Sequence, residues 1–245
     1  MSGRPEYKGD LRVFAPRGAA PTAVFAHRGA HRHARENTLD AFRAAVELQV
    51  AGVELDVHRT ADGVVVVHHD PVVGSLDIAS TPYGDLGGTV ASLAEVLDLV
   101  KGVSVNVEIK VTEGAAPAET EALVASASAA VLASGREDVG FSCFDEAVCR
   151  HLLRVDPSAQ VAWLVHRGPL VAHLERAHRA GFAAVNPHFA LVGKKERRLA
   201  GELGLALHVW TVNRRGDLSA MVKLGVDAVI TDRPRRALAV VKAAG

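Results

Sequence analysis

The sequence predicts a closed barrel of eight parallel strands, each followed by a helix. Three observations carry that prediction. From Thr22 onward, short β-rich runs alternate with helical stretches to the end of the chain. Several of the runs are almost continuously apolar, the pattern of parallel strands covered on both faces. No G-x-G-x-x-G follows the first strand, as it would in an open dinucleotide-binding sheet. About 220 residues in eight β/α units suit closure into a barrel.

The first strand is read at 23–26. A helix follows over 38–49, where Leu39, Phe42, Ala45, Val46 and Gln49 fall on roughly one face. The second strand is 52–58, and 64–68 is an extra strand before the helix at 92–99. Between them lies 71–90, rich in Gly, Ser and Asp, which reads as a loop over one face and a short insertion after His69-Asp70. The later units pair strands 104–110, 139–144, 160–165, 183–186, 206–211 and 228–231 with helices 118–133, 146–155, 169–180, 194–203, 215–224 and 234–243. The organisation is then an N-terminal extension over 1–22 and one barrel domain over 23–245.

Composition excludes several function classes. Lys+Arg and Asp+Glu both number 28, so zero net charge offers no general attraction for nucleic acid or an anionic membrane. An anionic substrate must therefore be held by a local device. No run of about 18 apolar residues occurs, so no stable membrane insertion is expected. Neither does a signal-peptide core, and the expected location is cytoplasmic. Cys143 and Cys149 are too few for a disulfide framework, lack metal-site spacing and are expected as free thiols. Oligomeric state is not readable.

In such a barrel the chemistry sits where strands end. The first strand runs into His27-Arg28-Gly29. The second carries Glu54 and Asp56 at i and i+2, which places both on one face of a strand. The extra strand runs into His68-His69-Asp70, and the third barrel strand carries Asn106, Glu108 and Lys110, again on one face. Trp210 to Asn213 closes the seventh strand and Thr231-Asp232 the eighth. Solvated strand ends would explain one or two of these. Three carboxylates converging in a barrel mouth repel one another unless a cation lies between them. Oxygen ligands without cysteine point to Mg²⁺, Ca²⁺ or Mn²⁺.

At these residues the sequence resembles the glycerophosphodiester phosphodiesterase family. The motifs are His27-Arg28-Gly29, Glu36-Asn37-Thr38 with Ala41-Phe42, Glu54-x-Asp56-Val57, Thr60-x-Asp62-Gly63 and Val66-Val67-x-His69-Asp70. They continue with Ser92-Leu93-x-Glu95-Val96-Leu97, Glu108-Ile109-Lys110, Trp210-Thr211-Val212-Asn213 and Thr231-Asp232-x-Pro234. The resemblance spans nearly all of the chain from Val24. It implies a TIM barrel, one divalent metal ion, and hydrolysis of a small glycerol-based phosphodiester to glycerol 3-phosphate and an alcohol. By position it implies Glu54, Asp56 and Glu108 as metal ligands and His27 and His69 as the acid/base pair. Arg28 and Lys110 would hold the phosphate, and Trp210 would line the wall beside the glycerol moiety. Two histidines suit this chemistry on their own account, because the attacking hydroxyl must lose a proton and the leaving oxygen must gain one.

The chain departs from the family pattern in places. Arg35 precedes the Glu-Asn-Thr triplet where proline is usual, and His68 doubles the His-Asp motif. Strand alternation assigns His69, not His68, to the face of Val65 and Val67. The segment 71–90 is shorter than the usual insertion and lacks its Arg-Thr-Thr element.

Other residues draw plainer readings. His58 stands at i+2 from Asp56, as a support for the site or a surface residue. His31 and His33 are loop histidines near the mouth. His166, His188 and His208 are pocket-lining candidates, while His151, His173 and His178 belong to outer helices. Phe144 after the fourth strand is a candidate for the pocket wall, with core packing the default. The run Lys194-Lys195-Glu196-Arg197-Arg198 reads as a solvated helix face. Two rival functions remain: a phospholipase D-like enzyme on lysophospholipids, which wants an apolar rim not obvious in the loops, and a non-catalytic phosphoester-binding barrel.

Overall fold

A computed structural model describes residues 12–244; residues 1–11 of the expected N-terminal extension lie outside the described residues. The strands and helices in chain order are β1 (Ala23–His27), α1 (Leu39–Glu47), β2 (Gly52–Arg59), β3 (Val65–Val67), β4 (Val72–Val73), β5 (Leu76–Asp77), β6 (Ala91–Ser92) and α2 (Leu93–Leu99). They continue as β7 (Ser104–Ile109), α3 (Pro117–Ser134), β8 (Val139–Cys143), α4 (Glu146–Val155), β9 (Gln160–Val165) and α5 (Leu170–Ala180). The last are β10 (Ala184–Pro187), α6 (Lys194–Glu202), β11 (Ala206–Val209), α7 (Arg215–Leu224), β12 (Ala228–Thr231) and α8 (Pro234–Ala244).

Eight of these strands close on themselves. β1, β2, β7, β8, β9, β10, β11 and β12 pair in that order, all parallel, and β12 returns to β1 with Ala26 opposite Thr231. The expected (β/α)8 barrel is therefore present, with its helices outside. Local chemistry starts and stops the helices. Thr38 accepts from the Ala41 amide to cap α1, and Ser92 and Glu95 form a reciprocal capping box at α2. Gly135, Gly181 and Gly225 end α3, α5 and α7 in the left-handed conformation.

Two apolar layers result. The larger lies between strands and helices and includes Phe42, Leu55, Val107, Leu152, Leu174, Leu207 and Leu218. The smaller fills the barrel floor. There Ala162, Ala184, Ala206 and Ala228, one from each of four successive strands, leave room for the rings of Phe14 and Phe25. The fit is tight: a Cβ at Gly52 would stand 2.2 Å from the Phe25 ring, and one at Gly140 2.6 Å from Phe14. His208 lies in this layer, 1% exposed, its ring centroid 5.1 Å from Phe14 and 5.0 Å from Phe25. It is a floor residue: the pocket it lines, of about 310 Å³, lies at the N-terminal ends of the strands with Ala23, Ala51 and Ser104, and not at the mouth.

The segment 71–90 is more than the loop expected of it. β4 and β5 form a hairpin, Tyr83–Leu86 makes a 3-10 turn, and β6 pairs antiparallel with β3. Ile78, Leu86 and Val90 bury themselves against Val66. Strands of two residues are too short to show in a periodicity reading.

Candidate active site

β2 is the longest strand and organises the site. Its lower residues pair with β1 on one edge, and residues 52–57 pair with β7 on the other. Above β1 the first edge is free, and β3 takes it antiparallel, Val57 opposite Val67. His27 at the end of β1 and His69 just after β3 are thus delivered to the same edge of β2. In β3, Val65 and Val67 join the main core on the face of Val57, while Val66 lies opposite His58 and faces the insertion; the strand ends at Val67, so strand alternation does not decide between His68 and His69.

Glu54, Asp56 and Glu108 bring one oxygen each to within 4.8 Å of one another, and all three are buried. The parallel register Asp56 opposite Glu108 puts them side by side on β2 and β7. Burial, then repulsion from Asp56, pushes the Glu54 carboxyl up to about 8. The same two causes raise Glu108. Burial would raise Asp56 too, but the charges of Lys110 and Arg28 hold it below the usual carboxylate range. Lys110 Nζ lies 2.8 Å from Glu108 and 3.2 Å from Asp56. Arg28 Nε lies 3.1 Å from Asp56, its Nη1 donates to Glu36 at 2.7 Å, and its amide donates to Glu54 at 3.1 Å. Three hard oxygen donors, crowded together and two of them disfavoured as free carboxylates, fit a divalent cation in number and in kind.

Each of the two histidines is held by an aspartate. His27 Nδ1 donates to Asp232 at 2.6 Å, and its Nε2 lies 3.9 Å from Glu54. His69 Nδ1 donates to Asp70 at 2.8 Å. In both rings the aspartate fixes Nδ1–H and leaves Nε2 for chemistry. Burial lowers the His27 pKa, yet the Asp232 bond and the Glu54 charge outweigh it and the net shift is upward. Burial would likewise raise Asp232, but bonds from His27 and His31 hold it far below the usual range.

The sequence places Asp232 at a strand end and in a family motif but gives it no role. It also accepts from His31 Nε2 at 3.3 Å and from Asn213 Nδ2 at 2.6 Å. Barrel closure was the available signal, because pairing Ala26 with Thr231 necessarily sets His27 beside Asp232. Asn37, named only within a motif, also gains a role. It donates to Asp56 at 2.9 Å from a left-handed backbone, φ 56°, and its amide donates to the Arg28 carbonyl, Arg28 itself having φ 53°. Strained backbone of this kind gathers where geometry is functional. Gly29, φ 82°, lies against the Ala41 backbone, where a Cβ would come within 2.8 Å.

Across the mouth, Trp210 donates its indole N–H to the Asn186 carbonyl at 2.7 Å. Phe144 and His188 meet its ring edge-on at 5.5 Å each, and His166 packs on Phe144. Phe144 is 42% exposed and belongs to this wall, the alternative to the default core packing. A cleft of about 460 Å³ opens beside Lys110 and His58, between the insertion and the loop after β7.

The family model for glycerophosphoryl diester phosphodiesterases matches residues 27–86 and 75–236. The chain belongs to this family. Its members are phosphoric diester hydrolases. A glycerophosphodiester phosphodiesterase of Caldanaerobacter subterraneus is 31% identical over 91% of this chain and 99% of its own. Among solved structures, a glycerophosphodiester phosphodiesterase of Thermotoga maritima superposes with a TM-score of 0.73 at 25% identity, covering 91% of this family member and 99% of that chain. A phosphodiesterase of Oleispira antarctica, solved with the product sn-glycerol-3-phosphate, superposes at 0.82 with 23% identity, covering 91% and 97%. No helix among the described residues is long and apolar enough to cross a membrane.

Proposed function

We propose that this family member hydrolyses glycerophosphodiesters to glycerol 3-phosphate and an alcohol. A divalent cation, Mg²⁺ or Ca²⁺ and by chemistry also Mn²⁺, is held by Glu54, Asp56 and Glu108, and His27 and His69 move the protons. The observation carrying the proposal is a buried carboxylate trio spanning β2 and β7, with two histidines, each oriented by an aspartate, at the ends of the strands on the other edge of β2.

A cation there, when bound, polarises the phosphoryl group and offsets its charge. The chain's own groups do the rest. Lys110 and Arg28 sit on the carboxylates and present N–H donors to the non-bridging oxygens, where negative charge grows in the transition state. Nε2 of one histidine takes the proton of the attacking hydroxyl, and Nε2 of the other gives a proton to the leaving oxygen. Asp232 and Asp70 keep both rings in the tautomer this needs. Trp210, with Phe144 and His188 behind it, offers an apolar wall to the glycerol carbons.

One observation favours a second substrate reading. Of the large hydrophobic side chains exposed among the described residues, Val72, Leu76, Val111 and Phe144 all stand around this mouth, where the sequence suggested no apolar rim. Such a rim suits an amphiphilic phosphodiester, as in a phospholipase D-like action on lysophospholipids. The test is ³¹P NMR of glycerophosphocholine, glycerophosphoethanolamine and lysophosphatidylcholine digested with Mg²⁺ or Ca²⁺. Glycerol 3-phosphate from the first two supports the first reading. Lysophosphatidate from the third alone supports the second, and no new phosphorus signal from any of them rejects both.

A further inference from the structure

We propose that His58 is a positioning residue that sets the distance between His69 and the carboxylate trio. The inference rests on His69 being half of the acid/base pair, as read above.

The backbone that carries His69 leaves β3 after a last ladder bond, from the His68 amide to the Asp56 carbonyl at 3.0 Å. Beyond that point imidazoles take over the ladder's work. His58 Nε2 donates to the His69 carbonyl at 3.1 Å, and His68 Nδ1 donates to the Asp70 carbonyl at 2.9 Å. A carbonyl only accepts, so Nε2 of His58 carries the hydrogen. His58 is 6% exposed, whereas the His69 side chain is 37% exposed and its partner Asp70 65%. The firm end of the tie is therefore His58.

What gives the tie a role is its other anchor. His58 and Asp56 share β2, two residues apart, so their side chains leave the same face about 6.6 Å from one another. A strand paired on both edges is stiff, and the His58 bond passes that stiffness to His69. The cleft of about 460 Å³ is lined by His58 and by Pro71, the residue after Asp70. Without the bond the His69 ring can drift relative to Asp56, and a misplacement of about 1 Å at a reacting group costs roughly 10²-fold in rate.

The experiment is steady-state kinetics on glycerophosphocholine with Mg²⁺ for wild type, His58→Leu, His58→Gln, His69→Ala and the double variant His58→Leu/His69→Ala, with thermal unfolding of each. Leu removes the donor, while Gln places an amide N–H near the same point. We expect His58→Leu to lower kcat about 10- to 100-fold with KM within about twofold, and His58→Gln to recover most of the loss. In the His69→Ala background, His58→Leu should change kcat no further, because its effect passes through His69. Full kcat in His58→Leu overturns the proposal while leaving the acid/base reading intact. So does an equal loss in both backgrounds, which is what general damage to the fold would give. Full activity in His69→Ala overturns the acid/base reading and this proposal with it.

Discussion

Asp232 Oδ1 accepts a hydrogen bond from His27 Nδ1 at 2.6 Å, across the seam where the last barrel strand meets the first. Asn213 holds the same carboxylate from the other side, donating to Oδ2 at 2.6 Å and accepting from the Asp232 amide at 2.9 Å. The aspartate is therefore fixed before it fixes the histidine.

Replacing Asp232 by Asn should lower kcat/KM by about 10²-fold, as loss of an orienting partner does. The pH profile should move too. Asp232 raises the His27 pKa against the effect of burial, so its removal shifts the limb belonging to His27 to lower pH. This direction is the same whether His27 is the acid or the base. A profile displaced to higher pH, or a wild-type rate, would contradict the role given to Asp232.

The cation-free protein should lose stability as pH rises. Burial and Asp56 push the Glu54 carboxyl up to about 8 from an ordinary 4.5, so the folded state binds the extra proton between those values. Its contribution is present below about 4.5 and disappears as pH climbs through 8, by at most about 1.4 kcal/mol per pH unit. Mg²⁺ or Ca²⁺ should raise the unfolding temperature, more at pH 8 than at pH 5. Thermal unfolding at both values with EDTA and with each ion checks this, and Glu54→Gln should flatten the EDTA curve.

His208 should make the fold acid-sensitive by the opposite route. Burial between Phe14 and Phe25 lowers its pKa to about 3. The unfolded chain takes up a proton near 6.5 that the folded chain refuses, so stability falls as pH drops from about 6.5 toward 3. Urea unfolding at pH 7, 6 and 5 should show a slope that His208→Gln reduces; an unchanged slope would mean the acid limb lies elsewhere.

Gly52→Ala should destabilise the barrel floor by about 1–3 kcal/mol, because the new methyl meets the Phe25 ring, itself wedged in the floor. Urea midpoints measure it, and Phe25→Leu in the same chain should recover part of the loss.

Much of the architecture was legible because it depends on local pattern. Apolar runs at regular spacing announced the barrel strands, and the i, i+2 acids Glu54 and Asp56 announced a shared face. What escaped depends on which strands become neighbours. Asp232 joins His27 only through closure of the sheet, and Asn37 reaches Asp56 only because a left-handed turn at Arg28 and Asn37 folds the loop back. Depth along a strand is equally hidden: His208 and Trp210 share a face, yet one is in the floor and the other in the wall. The small core of Ile78, Leu86 and Val90 escaped because its strands are two residues long.

The most direct test of the account is release of glycerol 3-phosphate from glycerophosphocholine with Mg²⁺, with Ca²⁺ and with EDTA, for wild type beside His27→Ala and Asp56→Asn. The account predicts ion-dependent release from wild type that EDTA abolishes, and a loss of roughly 10²- to 10⁴-fold in His27→Ala. Asp56→Asn should need far more of the ion for any activity. Release that persists in EDTA, or survives in well-folded His27→Ala, would contradict a site built from this carboxylate trio and its paired histidines.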